Sequence, residues 1–372
     1  MSIDEIIQKE NFSKEDIIKI LSVRKSSELD KIKKAAQKKL FENCGAKVYY
    51  RGLIEFSNTC IRDCNYCGIR KSNNSVKRFF LDKENVIDAA KWCADQGYGS
   101  IVLQSGERQD SSFIDYIEEV VCQIKKITTS DTLPRGLGIT LCVGQQTKEV
   151  YERFYAAGAH RYLLRIEASN KELFSSIHPP DQNFSERVDN LCMLKDVGFQ
   201  VGTGVMIGLP GQTVEHLAED ILFFKEHDID MIGMGPFIVH SKTPMSVYEE
   251  DNKKGSEAIF QQSLLMIAAS RIVLGDVNIA ATTALQALKD DGREQGLDFG
   301  ANVIMPQLTP VEVRKDYLLY ENKPCVDENK EQCRYCLERR ILSLGREIGV
   351  NAWGDSQHHK NRLKNSVSAD NA

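Results

Sequence analysis

Short apolar runs alternate with amphipathic stretches along most of the chain. The runs Val48 to Ser57, Ile101 to Ser105, Gly138 to Val143, Tyr162 to Ile166, Val201 to Ile207, Met231 to Phe237, Asn278 to Thr283 and Ala301 to Met305 each predict a buried strand. Between them, Lys83 to Gln96, Phe113 to Lys126, Thr147 to Ala157, Phe184 to Val197 and Val214 to Glu226 repeat apolar residues at i, i+3 and i+4, the spacing of a helix packed on one face. Strand followed by helix, repeated, builds a parallel sheet. Eight such units favour an α/β fold closed into a (β/α)8 TIM-type barrel over an open doubly wound sheet. Ahead of them, residues 1–47 read as an N-terminal helical cap, with Ser13 placed to cap Lys14 to Ile18 and a second amphipathic run from Ser27 to Asn43 ending at Gly45.

The barrel is expected over 48–306, where the alternation stops. Residues 307–352 read as a C-terminal segment closing on a helix around Leu337 to Arg346, and 353–372 as a polar, mobile tail whose His358-His359 pair is solvated surface. Several strand ends carry polar or glycine residues, as in Gln104-Ser105-Gly106-Glu107, Thr140 to Gly144 and Arg165-Ile166-Glu167. In a barrel those ends share one mouth, where functional groups gather.

Composition narrows the function. With 372 residues, 42% hydrophobic, 27% charged and 9 prolines, the chain is globular and long enough for a large core, which excludes disordered and fibrous classes. A formal net charge of −5 argues against broad electrostatic capture of nucleic acid or an anionic membrane, so small or uncharged partners are expected. No uninterrupted apolar run approaches the roughly 20 residues of a membrane span. Eleven cysteines are an odd number, and the N-terminus Met1-Ser2-Ile3-Asp4-Glu5 is no signal peptide. Both point to a reducing cytoplasm, with cysteines used for metal or redox chemistry.

The spacing of those cysteines carries the chemistry. Cys60, Cys64 and Cys67 form C-x3-C-x2-C directly after the first strand. Three thiolates serve three irons of a [4Fe-4S] cube and leave the fourth open. Zinc is the competing reading, but structural zinc wants four ligands at paired spacing. Cys325, Cys333 and Cys336 form a second group. Cys44, Cys93, Cys122, Cys142 and Cys192 have no comparable spacing, and Cys93, Cys122 and Cys192 read as small hydrophobes buried on helices.

The C-x3-C-x-aromatic-C pattern, with Tyr66 as the aromatic residue, resembles the radical S-adenosylmethionine (radical SAM) superfamily. There the open iron chelates SAM, and an electron from the cube cleaves the sulfonium to a 5′-deoxyadenosyl radical. Ile101 to Glu107, Arg161 to Glu167, Ile207 to Thr213, Gly235 to Phe237 and Ala301 to Pro306 narrow the resemblance to the HydE family of [FeFe]-hydrogenase maturases, in the biotin synthase group. The resemblance implies SAM contacts at Tyr66, Ser105, Gly106, Glu107, Thr140, Glu167 and Arg187. Their types suit a ligand with an ammonium, a sulfonium and a carboxylate. It further implies an internal anion and substrate cavity at Arg161, Arg165, Met231, Thr282, Thr283, Met305, Tyr317 and Tyr320. Arg161 and Arg165 share a face of one strand, and an inward charge needs an anionic partner. The second cysteine group matches an outer iron-sulfur site of some family members. The family often carries a histidine where this chain has Ile166, a position that strand alternation turns away from the lumen.

What the resemblance implies is an enzyme whose radical acts on a sulfur-containing small molecule or organometallic iron complex inside the barrel, during hydrogenase cofactor maturation. An electron donor such as ferredoxin or flavodoxin, and other maturases, are the expected partners. The alternatives are the same machinery acting on a small thioether or amino acid, and a non-catalytic iron-sulfur carrier. Modification of tRNA conflicts with the acidic balance.

Overall fold

The computed structural model describes residues 1–369. Helices α1 (Ile3–Ile6), α2 (Lys14–Leu21) and α3 (Ser26–Cys44) form the cap. Ser13 caps α2 as its sequence suggests: its side chain accepts from the Asp16 amide, and the Asp16 carboxylate accepts the Ser13 amide in return. The apolar run from Val48 to Ser57 proves to be two strands, β1 (Lys47–Tyr50) and β2 (Gly52–Ser57), because its halves pair with different neighbours. Then follow α4 (Lys83–Asp95), β3 (Ser100–Ser105), α5 (Ser111–Thr128), β4 (Gly138–Cys142), α6 (Lys148–Ala156), β5 (Arg161–Leu163), α7 (Lys171–Ile177), α8 (Phe184–Val197) and β6 (Gln200–Thr203).

Beyond β6 the strands shorten into paired fragments: β7 (Met206–Ile207), α9 (Val214–Glu226), β8 (Met231–Ile232) and β9 (Gly235–Pro236). The break lies at Gly204 and Gly233, where a Cβ on Gly204 would stand 1.8 Å from the Gly233 oxygen, so the two backbones approach as only glycine permits. After α10 (Glu249–Lys254) and α11 (Ser256–Leu274) come β10 (Asn278–Ile279), α12 (Thr283–Leu288), α13 (Gly292–Asp298), β11 (Val303–Ile304), α14 (Val311–Arg314), α15 (Lys330–Ser343), β12 (Glu347–Ile348) and α16 (Gln357–Ala369). By length and composition α11 would suit a membrane span, yet most of it is buried, packed against α2, α3 and α9, and it carries the fully buried Arg271.

Seven strands form one parallel sheet in the order β10-β8-β6-β5-β4-β3-β2. Residues 302–308 join its two edges. On one side the Asn302 amide bonds Ile279 O and the Ala281 amide bonds Val303 O; on the other, the Tyr49, Arg51 and Leu53 amides bond Asn302, Ile304 and Pro306 oxygens. The sheet is thereby closed into the (β/α)8 barrel, and β12 pairs with β1 outside it. Register then fixes orientation. Leu53, Glu55, Gln104, Thr140 and Arg161 belong to the lumen-facing set, whereas Ile54, Phe56, Tyr162 and Ile166 join the core under the helices.

Two sequence expectations are corrected outside the barrel. Cys122 and Cys192 are exposed; only Cys93 of the three helical cysteines is buried, because the other two fall on the solvent side of α5 and α8. Of the segment expected as a mobile tail, residues 353–362 are anchored instead, and 370–372 lie outside the described residues. Trp353 to Ser356 plug the barrel floor: Asp355 Oδ1 sits 2.7 Å from Arg161 and 3.0 Å from His160 Nε2, Gly354 O accepts from Arg51 and Asn278, and the Ser356 amide bonds Gln200. His358, expected as solvated surface, bridges Asp276 (2.9 Å) and Asp228 (2.6 Å), and Arg362 reaches Asp228 and Asp230. The polar composition that reads as solvated serves to pair acidic groups on the barrel floor.

Against the upward pull of burial, the His160 hydrogen bond and the Arg161 guanidinium hold the Asp355 carboxyl well below the usual carboxylate range. A depressed folded-state pKa gives stability that is complete above the unfolded value of about 4 and is lost as pH falls through the acid range. Replacing Asp355 with alanine leaves Arg161 buried and unpaired, so Asp355→Ala should cost about 3–5 kcal/mol at pH 7. In urea titrations the gap between wild type and variant should narrow as pH is lowered below about 4.

Candidate active site at the barrel mouth

The loop following β2 carries Cys60, Cys64 and Cys67 to the mouth. Backbone amides of Arg62 and Glu107 each point at Cys60 Sγ from 3.4 Å. Gly106 makes this possible: a Cβ there would lie 2.4 Å from Thr59 O and 2.8 Å from Cys60 Cβ. Burial pushes the thiols up, Cys64 to about 12 with the Cys60 charge as the next cause, and Cys67 well above the normal range. Holding them as thiolates therefore requires a strong cationic ligand, and metal binding must expel their protons.

Around the thiols stand charged side chains from neighbouring strands. Glu107 is buried, with Oε1 2.6 Å from Arg62 Nε, and its side chain lies over Gly144, where a Cβ would stand 2.2 Å from Glu107 Cγ. Glu167, just past β5, adopts φ +64°, a left-handed conformation rare for a non-glycine residue. Arg165 Nε donates to its Oε1 at 2.8 Å, while its Oε2 is buried with no hydrogen-bond partner. Strain and an orphaned acceptor on one buried carboxylate mark a site awaiting a donor. Arg187 Nε bonds Gln145 and its Nη1 bonds Arg165 O; Ser105 Oγ donates to Gly106 O. Tyr66 is in hydrogen-bond range of His178 Nε2 at 3.4 Å and lies close enough to Cys64, Glu167, Cys67 and Arg187 for their charges to act on its phenol.

The residues expected to hold the cluster and SAM thus divide. Cys60, Cys64, Cys67, Tyr66, Ser105, Gly106, Glu107, Glu167 and Arg187 come together at the mouth. Thr140 does not; it is level with Val102, deeper in the barrel, and its Oγ1 accepts from Arg161 Nε at 2.9 Å.

The residues expected in the cavity are spread along the lumen. Arg161 is at the floor, bonded to Thr140, Ser100, Trp353 O and Asp355, so the anion it faces is the chain's own carboxylate. Arg165 is near the mouth. Thr283 Oγ1 lies 2.9 Å from Tyr320 OH, Tyr317 OH accepts from Gln104 at 3.3 Å, and Thr282 Oγ1 donates to Met234 O. Met231 Sδ accepts from Arg51 Nη1 at 3.0 Å, and the β1–β11 register carries half-buried Met305 level with Arg51.

Sequence reasoning missed Arg51, Glu55 and Cys142. Arg51 is buried and makes no ion pair; its Nε has no partner, and Asp355, paired with Arg161, is a carboxylate whose charge reaches it. Glu55 is neutralised by Lys323 at 2.5 Å and also receives Gln307. Cys142 ends β4 on the lumen side, its thiol pushed up to about 12 by burial although Arg165 opposes the shift. An arginine and a glutamate inside the first apolar run were the available signal.

Residues 54–224 match the Radical SAM superfamily. Over 351 residues the chain is 40% identical to the [FeFe] hydrogenase maturase subunit HydE of Thermotoga maritima, covering 94% of this chain and 95% of that one. A 3-methylornithine synthase of Methanosarcina acetivorans is 24% identical over 306 residues, 81% of each chain. Among solved structures, methylornithine synthase superposes with a TM-score of 0.77 at 21% identity (94% of this chain, 98% of that one). The hydrogenase maturase HydG follows at 0.74 and 19% (93% and 74%), and these two likenesses show the fold alone. The chain is a radical SAM enzyme, a class that works with a [4Fe-4S] cluster and SAM. Within that class it belongs to the HydE family.

The thiol set and the unpartnered Glu167 oxygen fit those two groups. Because Gly106 sets how closely the cysteine loop approaches β3, Gly106→Ala should cut the iron retained after anaerobic reconstitution several-fold. Circular dichroism should remain that of the folded barrel; full iron content would show that the close approach is dispensable.

Proposed function

We propose that the chain acts in [FeFe]-hydrogenase cofactor maturation, on an anionic, sulfur-containing small molecule or iron complex held in the lumen below SAM. Cys60, Cys64 and Cys67 would hold the cluster through three irons. When bound, cluster and SAM supply a 5′-deoxyadenosyl radical. The observation that carries this reading is the strained Glu167 carboxylate with its free Oε2 beside the three thiols. An ammonium or ribose hydroxyl would satisfy it, Tyr66 and Arg187 would flank the ligand, and Glu107 with Arg62 would fix the rim.

The lumen then receives the substrate. Arg165, Arg161 and Glu55 already have opposite charges, whereas Arg51 has only sulfur and carbonyl contacts. A buried cation without an ion pair of its own, sharing the Asp355 charge with Arg161, favours one anionic group on the substrate. Met231 and Met305 offer soft, polarisable surface beside it, suited to sulfur. Tyr317 and Tyr320 cover the lumen from the C-terminal segment and help exclude water. An amino-acid or thioether carboxylate would satisfy Arg51 equally, which supports a small thioether as the second reading. The electron would come from a ferredoxin or flavodoxin and the substrate from another maturase. Eleven free cysteines suit a reducing cytoplasm.

Three measurements test this. The reconstituted enzyme with dithionite and SAM should release 5′-deoxyadenosine, and Cys60→Ala should release none. Glu167→Gln should weaken SAM binding by about ten- to a hundredfold, the worth of one or two charge-assisted hydrogen bonds. Arg51→Met should weaken binding of an S-alkylcysteine probe by at least about tenfold. Unchanged probe affinity would remove Arg51 from the substrate site.

A further inference from the structure

At the start of α15, where the family resemblance implies an outer iron-sulfur site, Cys325 Sγ, Cys333 Sγ and a Glu328 carboxylate oxygen lie within 4.8 Å of one another. Cys325 there adopts φ +62°, and Cys336 lies one turn further along the helix. A different buried group has no task assigned to it by the site at the mouth. Asp220 stands on the apolar face of α9, among buried Leu217, Ala218, Ile221 and Phe224. It is 1% exposed, no lysine, arginine or histidine pairs with it among the described residues, and its Oδ2 has no hydrogen-bond partner. A lone carboxylate in such a position costs folding energy, so packing of α9 does not account for it.

The partners of Asp220 lead to the mouth. Its Oδ1 accepts the Ser169 amide at 2.8 Å and the Ser169 hydroxyl at 2.6 Å. Burial pushes the carboxyl up to about 7 although both Ser169 bonds pull it down, so little else offsets the charge. Ser169 is two residues past Glu167, the residue at φ +64° whose Oε2 is unpartnered. Glu167 is held from the other side as well: its amide donates to Gly204 O at 2.9 Å, and its carbonyl accepts the Met206 amide at 3.0 Å. Between the two anchors Ala168 is buried in the apolar cluster against which Tyr66 packs, and directly after them Asn170 caps α7 by accepting the Leu173 amide. A residue in the left-handed region persists only where its surroundings over-determine it. The β6–β7 connection supplies one half of that constraint at Glu167, and Asp220 supplies the other.

We propose that Asp220 is a positioning residue for SAM binding: through Ser169 it pins the turn after β5 and so keeps Glu167 in the conformation that leaves Oε2 open to the ligand. This rests on the reading that Glu167 binds SAM. Asp220 itself touches neither cluster nor ligand. Its carboxylate draws both Ser169 donors onto one oxygen, with the added strength that an ionised acceptor gives a hydrogen bond.

The test compares Asp220→Asn, which keeps the shape and removes the charge, with Asp220→Ala and Ser169→Ala in the reconstituted full chain. SAM affinity by equilibrium dialysis should fall several-fold in Asp220→Asn and further in Asp220→Ala, with Ser169→Ala between wild type and Asp220→Ala. The KM for SAM should rise while kcat at saturating SAM is kept, as expected when binding alone is lost. In the cluster-free chain, hydrogen exchange of the 167–170 segment should quicken in Asp220→Ala. Because Asp220 acts through Glu167, the Asp220→Asn, Glu167→Gln double variant should bind SAM within about twofold of Glu167→Gln alone. Glu219→Gln, on the same helix but paired with Lys14, should leave SAM affinity unchanged. Loss of melting temperature with SAM affinity intact would make Asp220 purely structural and overturn the proposal. Additive losses in the double variant, unchanged exchange at 167–170, or an equal loss in Glu219→Gln would overturn it too. If Glu167→Gln weakens SAM and Asp220→Asn does not, this proposal alone fails; if Glu167→Gln binds SAM as wild type does, the reading of Glu167 fails with it.

Discussion

A guanidinium or carboxylate facing the lumen of a closed barrel costs several kcal/mol unless a counter-charge reaches it. This chain turns Arg51, Glu55, Arg161 and Arg165 inward, and the counter-charges come from outside the repeating strand–helix units. Lys323 arrives from the C-terminal segment to meet Glu55, and Asp355 arrives from the floor plug to meet Arg161. Arg165 takes Glu167, from the strained residue at the mouth. The extensions are therefore part of the barrel's electrostatics, and removing either would strand a buried charge. Arg51 alone makes no ion pair of its own and shares the Asp355 charge with Arg161.

The same constraint explains the gradient of function along the axis. At the floor the chain itself surrounds Arg161 with Thr140, Ser100 and Asp355, Trp353 seals the opening beneath Lys125 and Arg135, and Arg51 Nε is left over. Near the mouth matching is deliberately incomplete, with Glu167 Oε2 unpartnered and three thiols too buried to ionise unaided. Incomplete satisfaction inside an otherwise satisfied structure is where ligands gain binding energy, because each bond they make replaces none that the protein had.

Much of this was legible in the sequence. Period and spacing located the runs that carry every barrel strand and the helices from α4 to α9 apart from α7, since both patterns arise from local geometry, and the cysteine spacing singled out the mouth. Helix α11, buried on most of its faces, lacks an amphipathic period and was missed. What else escaped was set by distant partners. Nothing local says that Asp355, in a polar stretch, meets Arg161 across the floor, or that His358 bridges two aspartates. Arg161 and Thr140 fell in the expected cavity and SAM sets because strand alternation gives the face but not the depth, and depth decides whether a lumen residue meets ligand or plug. Arg51 was hidden between two strands read as one. Cys122 and Cys192 were expected to be buried because helical cysteines usually are, and on these helices they fell on the outer face.

Depth also bears on what the C-terminal segment does. Its residues touch the barrel at both ends: Lys323, Tyr317 and Tyr320 near the mouth, Trp353 to Ser356 at the floor. Between these anchors lie α15, which begins at the Cys325–Glu328 turn, and β12, paired to β1. A strap fixed at two ends transmits position only if its middle is stiff, and a short turn with a left-handed cysteine is not stiff through hydrophobic packing. Arg314 supplies part of that stiffness by bonding both ends of the turn to Thr309, whose hydroxyl accepts the Glu55 amide in the lumen wall. The turn is thus coupled through two hydrogen-bonded residues to the Glu55–Lys323 pair, and any ligand that fixes the turn also fixes the tyrosines lying over the lumen.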